Sequence, residues 1–215
     1  MVRSTRQRER RQGILGAAGR AIARRGYHGV RVKDVAHEAG ISSQSVLYYY
    51  PDVEELLVEA IQYGAKRYVD SRRETADALS DPAEQLLATI RAGFPTSPYH
   101  LSALLFQSVS AFRDNVGLRA MLESVMAQQI ELYRRILEVG ESRGVFKLAD
   151  DSRILARNLL ALEDAYSVYF VEGIVPAVAE AIGQVTAYAE LATGVSLTEA
   201  AASLDRGIER PGKEH

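Results

Sequence analysis

Residues 26–54 read GYHGVRVKDVAHEAGISSQSVLYYYPDVE. Two short helices joined by a tight turn account for this stretch. Val32, Val35, Ala36 and Ala39 recur at helical spacing and form one buried side. Ala36 is small, as it must be where two helices cross at close range. Gly40 supplies the left-handed conformation that a three-residue turn requires, and Ile41 plugs the core beneath it. Ser42 is a good N-cap for the second helix. Val46 and Tyr49 are spaced to face inward, which leaves Ser43, Gln44, Ser45, Leu47 and Tyr48 pointing outward. A Leu and a Tyr beside Ser and Gln suit plain solvent poorly. They suit base edges, thymine methyls and phosphates in a DNA major groove. Gln44 is the first candidate for direct readout, because its amide pairs bidentately with adenine. Arg31, Lys33 and Ser42, at the starts of the two helices, complete the expected DNA-facing set.

Outward from this stretch, almost every segment has helical spacing. A first helix is expected from about Arg6 to Arg25, with Ile14, Leu15, Ala18, Ala21 and Ile22 on one face and Gly26 closing it. Arg6 and Arg10 suit a phosphate contact and a solvated tail equally well. Pro51 ends the second helix of the motif, and Asp52 caps a long helix to about Arg73. Tyr50 is expected to pack between this helix and the first. Further helices are expected over Pro82–Phe94, Tyr99–Arg113, Leu118–Gly140, Ser152–Glu172 and Pro176–Thr193. Period-2 alternation is nowhere sustained. The expected architecture is all-α: a three-helix head over residues 1–52, a helical bundle over 53–195, and a polar, disordered tail over 196–215.

Charge divides the chain in the same way. Residues 1–50 hold ten Lys/Arg and three acids, a balance of +7, so a net charge of -2 leaves -9 for the rest. A basic end on an acidic body suits a polyanion partner and a solvated charged tail equally well. Cysteine is absent, so disulfides and thiolate metal sites are excluded, and a cytoplasmic protein is the expectation. No apolar run reaches the ~18–20 residues of a membrane span, and no secretory signal pattern opens the chain. The sequence has no HExxH, Gly-rich phosphate loop or GxSxG, and its four histidines are scattered. An enzyme, a metal and a cofactor are therefore not expected.

The pieces ILGAA, GYHG, VKDVAHEAGIS, LYYYPD and EELL, spread over Ile14–Leu57, keep the spacing of one known family. Over about 45 residues the chain resembles the DNA-binding domain of TetR-family transcriptional regulators. The resemblance implies a homodimer that reads a palindrome in double-stranded DNA with two heads. It further implies a small-molecule effector that releases the DNA from within the second domain. The chain departs from the family pattern at Arg31, Gln44 and Val53, where Thr, Gly and Lys are usual. These departures bear on which operator is read.

In the bundle, bulky and polar side chains on mostly apolar helices are the candidate effector contacts. They are Phe94, His100, Phe106, Met121, Gln129, Tyr133, Asn158, Glu163 and Tyr166. For Glu163 the alternative is an ion pair, and a Glu163 facing a cleft would favour a cationic effector. The helix over Ser152–Glu172 is apolar on two sides, so it needs two partners. Leu160, Ser167, Val168 and Val171, joined by Val178, Ile182 and Val185 of the next helix, are the expected contact between two copies. A helical small-molecule binding protein with a vestigial head is the second reading.

Overall fold

The computed structural model describes residues 2–94, 104–105, 107–175 and 177–208. Ten α-helices and no strand are found among them. They are α1 (Val2–Arg25), α2 (Val32–Ala39), α3 (Ser43–Tyr49), α4 (Val53–Asp77), α5 (Pro82–Gly93), α6 (Val109–Asp114), α7 (Val116–Ser142), α8 (Ser152–Val171), α9 (Val178–Thr193) and α10 (Thr198–Ile208). The described residues form two compact units. One lies within Met1–Tyr68 and Pro95–Val125, the other within Val69–Phe94 and Met126–His215. The division therefore falls inside α4 rather than at residue 52. No proline interrupts α4, and its apolar residues supply both cores. Leu56, Leu57, Ala60, Ile61 and Tyr68 are buried in the first unit, and Ala76 in the second.

In the first unit, Ile14, Leu15, Ala18, Ala21 and Ile22 of α1 are buried as their spacing predicts. Each large side chain so buried contributes about 1.5–3 kcal/mol. Gly26 closes α1 at a φ of 69°, its N–H donating to Ile22 at 2.8 Å. α3 has only seven residues, too few to be stable alone. It is held by fully buried Val46 and by Tyr50 just past its end.

In the second unit, Asp81 caps α5 by accepting from Ala83 N (2.9 Å) and Glu84 N (3.0 Å), with Pro82 at the first turn. After α7 the chain folds back. Phe146 lies against Gly140, where an added Cβ would stand 2.0 Å from its ring. Gly194 ends α9 in the left-handed region, at a φ of 72°.

The segment expected to be a disordered tail contains α10. Leu197 and Ala200 are buried, Leu197 N donates to Glu190 Oε1 at 2.7 Å, and Arg91 pairs with Asp205 at 2.8 Å. Small residues are easily mistaken for loop, yet three consecutive alanines (Ala200–Ala202) have the highest helix propensity of any residue. Residues 209–215 lie outside the described ones.

Candidate functional site

The head's reading surface is built by its turn. Gly40 adopts φ 63°, ψ 37°, and Ile41 N donates to Ala36 O at 3.0 Å, which turns the chain from α2 into α3. Ser42 then caps α3. Its Oγ accepts from Ser45 N at 3.0 Å and lies 2.9 Å from Ser45 Oγ. Both hydroxyls are thus committed to the helix start. Burial of Val46 turns the opposite side outward: Gln44 is exposed, Leu47 is 40% exposed and Tyr48 75%. Ser43 is half-buried at the rim, and Arg31 and Lys33 are exposed on α2. Arg31 also opens α2, its backbone N–H donating to Asp34 Oδ2 at 2.9 Å.

One expectation about the tyrosines needs correction. Tyr49 is half-buried rather than core, with its ring edge-on to Tyr48 at 5.2 Å. Tyr50 is the core residue, beneath the Arg11 guanidinium at 4.5 Å. Seven residues make barely two turns, so Tyr49 falls between faces.

The head's charge is sorted by pairing. Glu38 takes Arg20 (3.3 Å) and Arg24 (3.1 Å), and Asp34 takes Arg25 (3.2 Å). Both of its inner acids are thereby used to dock α2 on α1. Arg6, Arg8 and Arg10 stand exposed along the start of α1. Arg8 and Arg11 share a groove of about 760 Å³ with Tyr48 and Tyr49. No sequence signal joined these arginines to the reading helix, because the join depends on how α1 packs.

The second unit has a different chemistry. Arg72 of α4 and Glu163 of α8 are both 1% exposed and pair bidentately, at 2.6 and 2.7 Å. Arg72 Nη2 also donates to Thr89 O (3.0 Å) and to Tyr133 Oη (3.1 Å), and the Tyr133 hydroxyl donates to Glu163. Gly93 makes room for this pair, since a Cβ there would lie 2.2 Å from the Glu163 carboxyl carbon. Beside it, burial and the Glu163 charge push Asp164 up to about 7, against the lowering influence of Arg72. Glu163 is thus an ion-pair partner, and its charge is already matched.

Of the other expected effector contacts, Phe94, Gln129 and Tyr133 are buried in this unit and Tyr166 packs against its core. Asn158 is exposed and donates to the Tyr188 hydroxyl at 3.0 Å, so it bridges α8 to α9 at the surface. Met121 is half-buried in the first unit. His100 and Phe106 lie outside the described residues.

Most of the residues expected to meet a second copy are taken up within their own unit. Leu160, Ser167 and Val185 are buried within their own unit, and Val178 and Ile182 pack on its core. Val171 is half-buried, while Val168 is 37% exposed. The apolar groups left outside on α8 and α9 include Ile154 (48%), Tyr169 (42%) and Leu191 (78%). With no partner helix assigned, the spacing could not say which of two apolar stripes faced inward. Among the described residues, no group of His, Asp and Glu is arranged to hold a metal ion, and no helix is long and apolar enough to cross a membrane.

Residues 14–60 match the family model for bacterial regulatory proteins of the tetR family. The chain is 22% identical over 147 residues to the fatty acid metabolism regulator protein of Bacillus subtilis, covering 68% of this chain and 75% of that one. It is 26% identical over 140 residues to the HTH-type transcriptional repressor KstR2 of Mycobacterium tuberculosis, covering 64% and 70%. Its fold matches a crystal structure of a putative transcriptional regulator from Saccharomonospora viridis in complex with choline. That match has a TM-score of 0.68, 25% identity, and coverage of 94% and 97%. With the family's sequence pattern over residues 14–60 on an all-helical body, the chain carries the helix-turn-helix head of TetR-family transcriptional regulators.

Proposed function

We propose that this regulator is a repressor that holds a palindromic operator as a homodimer and leaves it when a small molecule enters the second unit. The observation that carries the reading is the outward face of α3. Gln44, Leu47 and Tyr48 are exposed there on a helix whose start and inner side are fixed by Ser42, Val46 and Tyr50. An exposed amide, an aliphatic group and a phenol on a short rigid helix match adenine edges, thymine methyls and phosphates. Ser43 at the rim, with Arg31 and Lys33 on α2, supplies backbone contacts. Ser42 and Ser45 act through the cap rather than on bases. The relative KstR2 is a transcriptional repressor, which supports the same sign of regulation here.

Two heads need a contact between copies. Ile154 and Val168 of α8, with Leu191 of α9, offer an exposed apolar surface for a two-fold, four-helix interface. Small residues beside them on α9, Gly183 and Ala187, are exposed and let helices approach closely. Release then follows if the effector favours a dimer whose heads no longer match major grooves about 34–36 Å apart.

Footprinting on the intergenic DNA beside the chain's own gene tests the reading. The expected result is one protected palindrome with two half-sites, which the Gln44→Ala variant protects only at higher protein concentration. Absence of protection, with no salt-sensitive binding to random duplex either, would favour a small-molecule binding protein with a vestigial head.

A further inference from the structure

Hydroxyl side chains inside helices commonly satisfy themselves by donating to the carbonyl one turn back. Among the described residues, Thr75 donates so to Ser71 O (2.8 Å), Ser108 to Leu104 O (2.7 Å) and Thr193 to Ala189 O (2.7 Å). In the second unit, half-buried Thr186 of α9 does not, and neither do Thr89 and Ser167. Both are 0% exposed, and their oxygens have no hydrogen-bond partner among the described residues. Gln129 is 2% exposed, and its Oε1 is equally unmatched.

Thr89, Gln129 and Ser167 come from α5, α7 and α8, and all three adjoin the same cluster. The Thr89 carbonyl accepts from Arg72. Gln129 precedes Tyr133 by four residues on α7, and Ser167 follows Glu163 by four on α8. Four residues on a helix is one turn, a rise of about 6 Å on the same face. Phe94, Leu86, Ile90, Leu132 and Leu159 make up the apolar surroundings.

A buried polar atom without a partner costs free energy that its apolar isostere would not. Three such atoms, each within about a turn of one buried cluster, are the pattern of a site that a ligand completes. On Thr89, Gln129 and Ser167 the unmet groups are two hydroxyls and one acceptor, and the Arg72 charge beside them is matched by Glu163. A cationic head would have to displace Arg72 from Glu163 and leave a buried guanidinium behind. An anionic head meets the penalty already felt by Asp164, which burial and Glu163 hold up at about 7.

We infer that the second unit takes an uncharged amphiphile, with an alcohol or primary amide head that both donates and accepts hydrogen bonds, docked on Thr89, Gln129 and Ser167. The inference rests on the reading that this unit binds a small molecule, and it names that molecule's class. It also sets this chain apart from a choline-type or carboxylate-headed effector.

Calorimetric titration of the full-length protein with decanol, decanoate and decyltrimethylammonium, each below its micellar range, tests the assignment. The three probes share a chain and differ in head charge. Decanol is expected to bind about tenfold more tightly than either ion. Gln129→Leu and Thr89→Val are each expected to weaken decanol by up to about tenfold, one hydrogen bond's worth. Neither is expected to change operator affinity in the absence of probe. The assignment is overturned if an ion binds as well as decanol, if no probe binds, or if both variants keep the wild-type decanol affinity. Decanol bound as expected without operator release would refute effector release and leave the head-group assignment standing.

Discussion

The two units solve opposite problems with the same residue types. On α3 the polar side chains face water, and those at the helix start are satisfied locally: Ser42 and Ser45 bond to each other and to the backbone. In the second unit polar groups are buried around one salt bridge, and some of their atoms are unmatched. The first arrangement keeps an outer face rigid while leaving it available. The second stores a cost inside the core, where a partner molecule can relieve it. A regulator needs both, because a rigid reader supplies specificity and a costly core supplies the free-energy difference that a ligand can exploit.

The largest expected effect breaks the buried side of this comparison. Glu163→Ala leaves Arg72 buried without its carboxylate and is expected to cost about 3–5 kcal/mol. Denaturant unfolding measures it. The double variant Arg72→Met, Glu163→Leu removes both charges and should recover most of the loss. If Glu163→Ala is tolerated within about 1 kcal/mol, the cluster is not the keystone of this core. Gly93→Ala probes the same contact from α5. Its added Cβ collides with the Glu163 carboxyl group, so a loss of about 1–3 kcal/mol is expected in the same measurement.

Asp164 gives the comparison a pH axis. Its carboxyl ionises near 3.8 when exposed and at about 7 in the folded chain. Between those values the unfolded chain releases a proton that the folded chain keeps. This group's contribution to stability is therefore full below about pH 4 and is lost as pH rises through 7. Since Asp164 is partly exposed, screening holds the effect to roughly 2 kcal/mol. Asp164→Asn should flatten the fall in unfolding free energy between pH 4 and 8. An unchanged slope would mean that the group is not held neutral.

What the sequence made legible follows from the same contrast. The head is local: Gly40, Ser42, Val46 and Pro51 act on neighbours within one or two turns, so the order of residues fixes α2, the turn and α3. Tyr49 left the core face expected of it because a two-turn helix leaves its last residue between faces. The salt bridge is non-local. Arg72 and Glu163 lie 91 residues apart, and nothing in either helix's pattern announces the other. Glu163 was visible as a polar group on an apolar face, but its partner was not. The stripe meant for a second copy failed similarly: Leu160, Ser167 and Val185 needed to be seen against α5 and α9 before their burial could be assigned.

The smallest expected effects test the exposed side, through two residues at the start of α3. Gln44→Ala removes a side chain with no role in the head's own core, so folding should be unchanged. Operator affinity should fall by about 1–3 kcal/mol if the amide reads adenine, and only at sequences holding that base pair. Ser42→Ala should behave differently. Losing the cap of a seven-residue helix costs about 1 kcal/mol of local stability, and the loosened helix should weaken every duplex alike. Binding measured on the operator and on a one-base-pair variant separates the two. If Gln44→Ala weakens both duplexes equally, its amide meets a phosphate, and sequence is read instead by Leu47 and Tyr48.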